Sequence, residues 1–113
     1  MTEPNVSKSA ITIDQVATDG LPPTHPGEIL REELTALGFS ANAFAAKLKV
    51  PTNRVTEILA GRRGITAETA LRLGRFFGTS AQFWMNLQAT YDLKTAAAES
   101  GKDIVRQVRP HAA

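Results

Sequence analysis

From Thr24 onward the chain carries start and stop signals for short helices at a regular spacing, and this constrains the fold more than any other feature. Pro26 suits a first helical position, because its missing N–H would have no partner there. Leu30, Leu34 and Leu37 follow at i, i+4 and i+7, and Gly38 offers a left-handed stop. Ser40 is placed to cap a second helix whose apolar positions are Phe44, Ala45 and Leu48. Pro51 opens a third, with Val55, Ile58 and Leu59 inward and Gly61 at its end. Thr66 can cap a fourth, which uses Ala70, Leu73 and Phe77 and closes at Gly78. Ser80 can cap a fifth, carrying Phe83, Trp84, Leu87 and Tyr91 and running towards Ala98. Five short helices with joints of two to five residues predict an all-α bundle. At 113 residues the chain fits one domain. A domain of this size buries roughly 65% of its unfolded surface, enough for a core without covalent staples.

The flanks read differently. Residues 1–24 are polar and punctuated by Pro4, Gly20, Pro22 and Pro23, which predicts a flexible N-terminal arm ending in a hinge. Within it Ile11 and Ile13 alternate with Thr12 and Asp14, a short period-2 pattern that continues to Val16. After Ser100-Gly101, Ile104, Arg106 and Val108 alternate with Val105, Gln107 and Arg109 ahead of Pro110. This allows a short C-terminal extended tail, with a frayed end as the alternative. The expected organisation is an arm over 1–24, a helical unit over 25–80, and a C-terminal helix and tail over 81–113.

The second and third predicted helices, Ser40 to Gly61, are joined tightly at Leu48–Pro51. Ala45 is small where a neighbouring helix must approach, and Val50, Val55 and Ile58 have the spacing to hold the third helix against the second. That is a helix-turn-helix layout, whose second helix enters a DNA major groove; an αα-corner in any helical protein is the generic alternative. Charge favours the first. Lys47 to Arg75 holds seven basic and two acidic residues, +5 in 29 residues, whereas the whole chain carries +2. A basic concentration around such a motif is the footprint of phosphate contact, while a merely solvated face interleaves both signs. Thr52, Asn53, Arg54 and Thr56 are the candidate base-edge contacts, because Asn pairs bidentately with adenine, Arg with guanine, and Thr offers a hydroxyl and a methyl. Ser40, Lys47, Arg62 and Arg63 are the candidate phosphate contacts. Arg72 and Arg75 fit a solvated helix face equally well.

Four blocks of the chain, HPGEILREEL, SANAFAAKLKVPTNRVTEILAGRRGIT, TALRLGRFFGTSAQFWMNLQATYDL and DIVRQVRP, closely resemble the HigA family of toxin–antitoxin antitoxins, over roughly residues 25–109. That family belongs to the Cro/lambda-repressor class, so the resemblance implies a five-helix, lambda-repressor-like domain. It also implies a dimeric antitoxin that binds operator DNA, represses its own operon and neutralises a HigB/RelE-like, mRNA-cleaving toxin. On that reading Ile11, Ile13 and Val16 are candidate toxin contacts, adding a strand to the toxin's sheet. Two positions depart from the family pattern. The usual turn glycine is Lys49, at a cost of roughly 1–2 kcal/mol if it is left-handed. A phosphate-contacting Gln often found after the capping Ser is Ala41.

Phe83, Trp84, Leu87 and Tyr91 are the candidate dimer interface, since the aromatic cluster of the last two helices exceeds what one thin helical layer can cover. The competing functions are a stand-alone repressor without a toxin, and a helical module whose basic face binds an acidic protein. Catalysis is not supported. His25 and His111 are the only histidines and lie far apart, cysteine is absent, and Glu28, Glu32 and Glu33 fit a solvated first-helix face better than a catalytic pair. No cofactor or metal is expected. The N-terminus lacks a secretory pattern and no apolar run reaches the length of a membrane span, so the expected location is cytoplasmic.

Overall fold

The computed structural model describes residues 21–112, and among these the only regular structure is helical. The elements are α1 (Pro26–Leu37), α2 (Ala41–Leu48), α3 (Thr52–Leu59), α4 (Ala67–Phe77) and α5 (Ala81–Gln107). Thr24–Tyr91 form one compact unit, and residues from Asp92 onward belong to another.

Local chemistry sets most of the helix ends. Ser40 Oγ accepts from the Ala43 N–H at 3.1 Å, Thr66 Oγ1 from Thr69 at 3.3 Å, and Ser80 Oγ from Phe83 at 3.1 Å. The cap of α1 is less common: His25 Nδ1 accepts from the Gly27 N–H at 2.9 Å, with Pro26 following in the first turn. His25 is buried, and its ring meets Tyr91 edge-on with centroids 4.9 Å apart.

The core of the compact unit joins Leu30 and Leu34 of α1, Phe44, Ala45 and Leu48 of α2, and Val55 and Ile58 of α3. Ile65, Ala70 and Leu73 complete it together with Trp84 from the start of α5. Phe77 bridges the helices, with ring centroids 5.7 Å from Phe44 and 5.6 Å from Trp84. α1 is pressed onto the C-terminal end of α3 through Gly27. A Cβ there would lie 1.9 Å from the Ile58 carbonyl oxygen, so no larger residue fits without moving one helix. From α1, Arg31 Nη2 also donates to the Leu59 carbonyl at 3.2 Å. The third helix is therefore held at its exit by α1 and along its back by apolar burial.

Two expectations need correction. Trp84 is 1% exposed and its indole N–H donates to Thr79 Oγ1 at 3.0 Å, so it is a core residue with no surface to offer a second copy. The segment 104–109 is not an extended tail from its start, because α5 runs on through Ser100-Gly101 to Gln107 and only 108–112 lacks regular structure. A helical glycine costs about 1 kcal/mol against alanine. Here the neighbouring Ala96–Ala98 and the Asp103–Arg106 ion pair, one helical turn apart, favour continuation. Within the second unit Leu93, Ile104, Val105 and Val108 are exposed.

Candidate nucleic-acid interface

α3 is amphipathic by construction. Val55 and Ile58 are sealed in the core, while Thr52, Asn53 and Thr56 are exposed and Arg54 is half-exposed. The four candidate base-contacting residues thus share the first turns of one helix, on the side away from its apolar stripe. Thr56 Oγ1 donates back to the Asn53 carbonyl at 3.3 Å. Pro51, the residue before α3, supplies no capping side chain. The positive end of this helix is therefore open towards an anion.

The joint that aims α3 is held by polar contacts. Thr52 Oγ1 donates to Asn42 Oδ1 at 2.7 Å, tying the first turn of α3 to the first turn of α2. Lys49 sits in the left-handed region at φ 61 and ψ 45, the conformation expected of the glycine it replaces. It is the only non-glycine residue with positive φ among those described. Arg72 reaches back from α4 and donates from Nη1 to the Leu48 carbonyl at 2.8 Å, closing the end of α2. Arg72 is thus a brace for the joint rather than a free solvated cation.

The remaining cations divide. Arg63 is engaged by Glu57, donating from Nε at 2.9 Å and lying 2.8 Å away through Nη2. The backbone N–H groups of Arg62 and Arg63 both donate to the Glu57 carbonyl, at 2.9 and 3.2 Å, so Glu57 shapes the loop that follows α3. Gln88 of α5 secures the far side of that loop by accepting from the Ile65 N–H at 2.7 Å. Arg62 is exposed. Lys47 lies over the Phe39 ring, 5.9 Å from its centroid, and lines a groove of about 440 Å³ with Leu48, Leu71, Arg75 and Phe76. Ser40 is exposed and spends its oxygen on the α2 cap, which keeps its hydroxyl hydrogen for an acceptor outside.

Glu68, at the second position of α4, lies between two arginines. Oε1 takes a hydrogen bond from Arg54 Nη1 at 2.9 Å, and Oε2 takes one from Arg72 Nε at 2.8 Å with Nη2 at the same distance. The Arg72 hydrogen bond foremost holds the Glu68 carboxyl below the usual glutamate range; desolvation opposes it, and the positive charges of Arg72 and Arg54 and the Arg54 hydrogen bond add to the lowering.

Sequence reasoning missed Asn42, Glu57 and Glu68. Each acts through a partner 6 to 14 residues away, and no local pattern marks such a pairing. Of the candidate dimer residues, Phe83 is 44% exposed, whereas Leu87 and Tyr91 are half-buried. Ile11, Ile13 and Val16 lie outside the described residues. Among those described, no three His, Asp or Glu side chains converge on a metal-sized site, and no helix is long and apolar enough to cross a membrane.

Comparison with known proteins agrees with this geometry. Residues 30–84 match the helix-turn-helix family. The chain is 52% identical over 91 residues to virulence-associated protein I of Dichelobacter nodosus, covering 80% of this chain and 82% of that one. Among solved structures it is similar to an addiction module antidote protein of the HigA family from Coxiella burnetii. That pair share 58% identity and a TM-score of 0.79, over 80% of this chain and all of the other. The Pseudomonas aeruginosa antitoxin HigA, solved with the higBA promoter, is 52% identical with a TM-score of 0.78, over 80% of this chain and 99% of its own. With its five helices and its polar α3 face, the chain belongs to the HigA family of helix-turn-helix antitoxins.

Proposed function

We propose that this chain is the DNA-binding antitoxin of a toxin–antitoxin module. It binds operator DNA as a homodimer, represses its own operon and neutralises a RelE-like mRNA-cleaving toxin in the cytoplasm. Its function is recognition rather than catalysis. The observation that carries the DNA reading is the division of α3 into a buried apolar stripe and an outward face of Thr52, Asn53, Arg54 and Thr56. Its support in relatives is the Pseudomonas aeruginosa HigA solved with promoter DNA.

In this scheme Asn53 and Arg54 read bases, and Ser40, Lys47, Arg62 and Arg63 meet phosphates. Residues 25–80 contact DNA. The dimer draws on Phe83, Leu87 and Tyr91 from residues 81–113, spacing two α3 helices about 34–36 Å apart on a two-fold symmetric operator.

Gel shifts with the promoter fragment upstream of the gene test the assignment. Arg54→Ala should lower operator affinity about 10- to 100-fold and relax sequence preference, the loss of one bidentate pair. Arg62→Ala should weaken operator and scrambled DNA alike and flatten log K against log salt by about 0.9. Equal effects of the two substitutions would overturn the division of roles. Co-expression with the small basic reading frame expected beside the gene tests the toxin assignment by pull-down and by relief of growth arrest. A neighbourhood without such a frame would leave a stand-alone repressor.

A further inference from the structure

We propose that Glu68 is a specificity-determining positioning residue, which holds the Arg54 guanidinium at one nitrogen and biases it towards neutral base edges over anionic phosphates. The inference rests on the assignment of Arg54 to base reading. Glu68 belongs to α4 and Arg54 to α3, so their 2.9 Å contact crosses between helices 14 positions apart. The same carboxylate is fixed from its other oxygen by Arg72, which is itself anchored on the Leu48 carbonyl. Arg54 is therefore tied through two residues to the backbone of the joint that aims α3.

Two consequences follow from the chemistry. The contact uses Arg54 Nη1, which leaves the Nε–Nη2 edge to make a bidentate pair with two acceptors such as guanine O6 and N7. A phosphate approaching that edge also approaches the Glu68 carboxylate and is repelled. A guanine edge carries no net charge and escapes that penalty. An unpaired guanidinium, by contrast, is drawn to any phosphate and strengthens sequence-independent binding. A role confined to α4 would need only the contact between Glu68 and Arg72, four residues apart on one helix. The reach to Arg54 is what a merely helix-stabilising glutamate would not require.

The test uses the full chain and measures affinity for the promoter fragment and for a scrambled duplex of equal length over a salt series. Glu68→Gln should tighten scrambled DNA about 3- to 10-fold and steepen its salt slope by up to about 0.9, one more cation being free for phosphate. The ratio of operator to scrambled affinity should fall about 10-fold or more, as expected when a bidentate base contact is loosened. In an Arg54→Ala background Glu68→Gln should leave that ratio within about twofold, because residues that act as one unit are not additive. Glu68→Asp keeps the charge and should recover most of the ratio. It also serves as the second variant if the glutamine form folds poorly in a thermal melt. A ratio unchanged in folded Glu68→Gln, or an equal loss on both DNAs, would reduce Glu68 to a structural residue. If Arg54→Ala itself leaves the ratio unchanged, the base-reading assignment fails. If Arg54→Ala lowers it and Glu68→Gln does not, only the present proposal fails.

Discussion

Two corners of the compact unit, one before α3 and one before α5, have the same length and a left-handed start but different fastenings. Each begins at a left-handed residue, Lys49 at φ 61 or Gly78 at φ 74, and reaches the next helix after two more residues. Before α5 the corner is fastened to the core. Thr79 takes the indole N–H of buried Trp84, Ser80 caps the helix, and the Thr79 carbonyl lies against the bare Cα of Gly74. Before α3 the corner is fastened from the solvent side, by Thr52 to Asn42 and by Arg72 to the Leu48 carbonyl. Entry to α5 is thus set by burial, and entry to α3 by polar contacts at exposed or partly buried positions. The polar face of α3 can therefore be altered without dismantling the core, and the core without changing which groups that face exposes.

The largest effect that tests this contrast is at Trp84. Trp84→Ala should cost about 3–5 kcal/mol in denaturant melts, through lost burial and the cavity left behind. If the variant kept its stability and lost only self-association in sedimentation, Trp84 would be an interface residue and the α5 corner would not be core-fastened. Next in size is Gly74→Ala. Its new Cβ would stand 2.9 Å from the Thr79 oxygen and 3.0 Å from the Ala81 nitrogen, backbone atoms that cannot swing aside. Overpacking of that kind costs about 1–3 kcal/mol. The operator-to-scrambled ratio should stay at its wild-type value in the folded fraction.

How much of this was legible in the sequence follows the same divide. Ser40, Thr66 and Ser80 cap their helices, and Gly38 and Gly78 end theirs, as local spacing predicts, because a cap needs only its own turn of helix. Lys49 was readable as a strained substitute only through the family resemblance, in which a glycine holds that turn. Trp84 was misassigned because hydrophobicity says that a ring leaves water, and not whether its cover comes from the same chain or another. The end of α5 was misjudged because Ile104, Arg106 and Val108 suit a strand's alternation, while a local glycine looked like a stop. The polar fastenings of the α3 corner were illegible. Asn42, Glu57 and Glu68 are ordinary helix-surface residues until folding brings Thr52, Arg63 and Arg54 beside them.

A reciprocal exchange at the two left-handed positions sharpens the comparison at smaller amplitude. Lys49→Gly removes a Cβ from a conformation that disfavours it, and should stabilise the chain by about 1 kcal/mol. That is about 4–8 °C in a domain of this size. Gly78→Lys should cost about as much, since it imposes the same strain where glycine now sits at φ 74. If Lys49→Gly instead lowered the melting temperature, the polar contacts of that corner would have to include the Lys49 side chain. Operator affinity of Lys49→Gly should fall no more than the loss of one exposed cation allows.

The smallest effect is in acid and isolates the solvent-side fastening. Folding places Glu68 against Arg72 and Arg54 and lowers its pKa below the ordinary glutamate value of 4.5. A carboxyl whose folded pKa is depressed binds fewer protons when folded than when unfolded, so its contribution is fully present above the ordinary value. It is lost as pH falls through the lower, folded value. The carboxyl is open to water and its ion pairs are screened, so the shift is small and best read as a difference between variants. The melting-temperature gap between wild type and Glu68→Gln should be flat from about pH 7 to about pH 5 and should close further into acid, where the wild-type side chain also becomes neutral. Trp84→Ala should keep its gap to wild type across the same range, because no titrating group links the core-fastened corner to this carboxyl. A gap for Glu68→Gln that stayed open in acid would mean that glutamine alters α4 by propensity rather than by charge. The ion pairs from Glu68 to Arg54 and Arg72 would then contribute nothing measurable to the stability of the α3 corner.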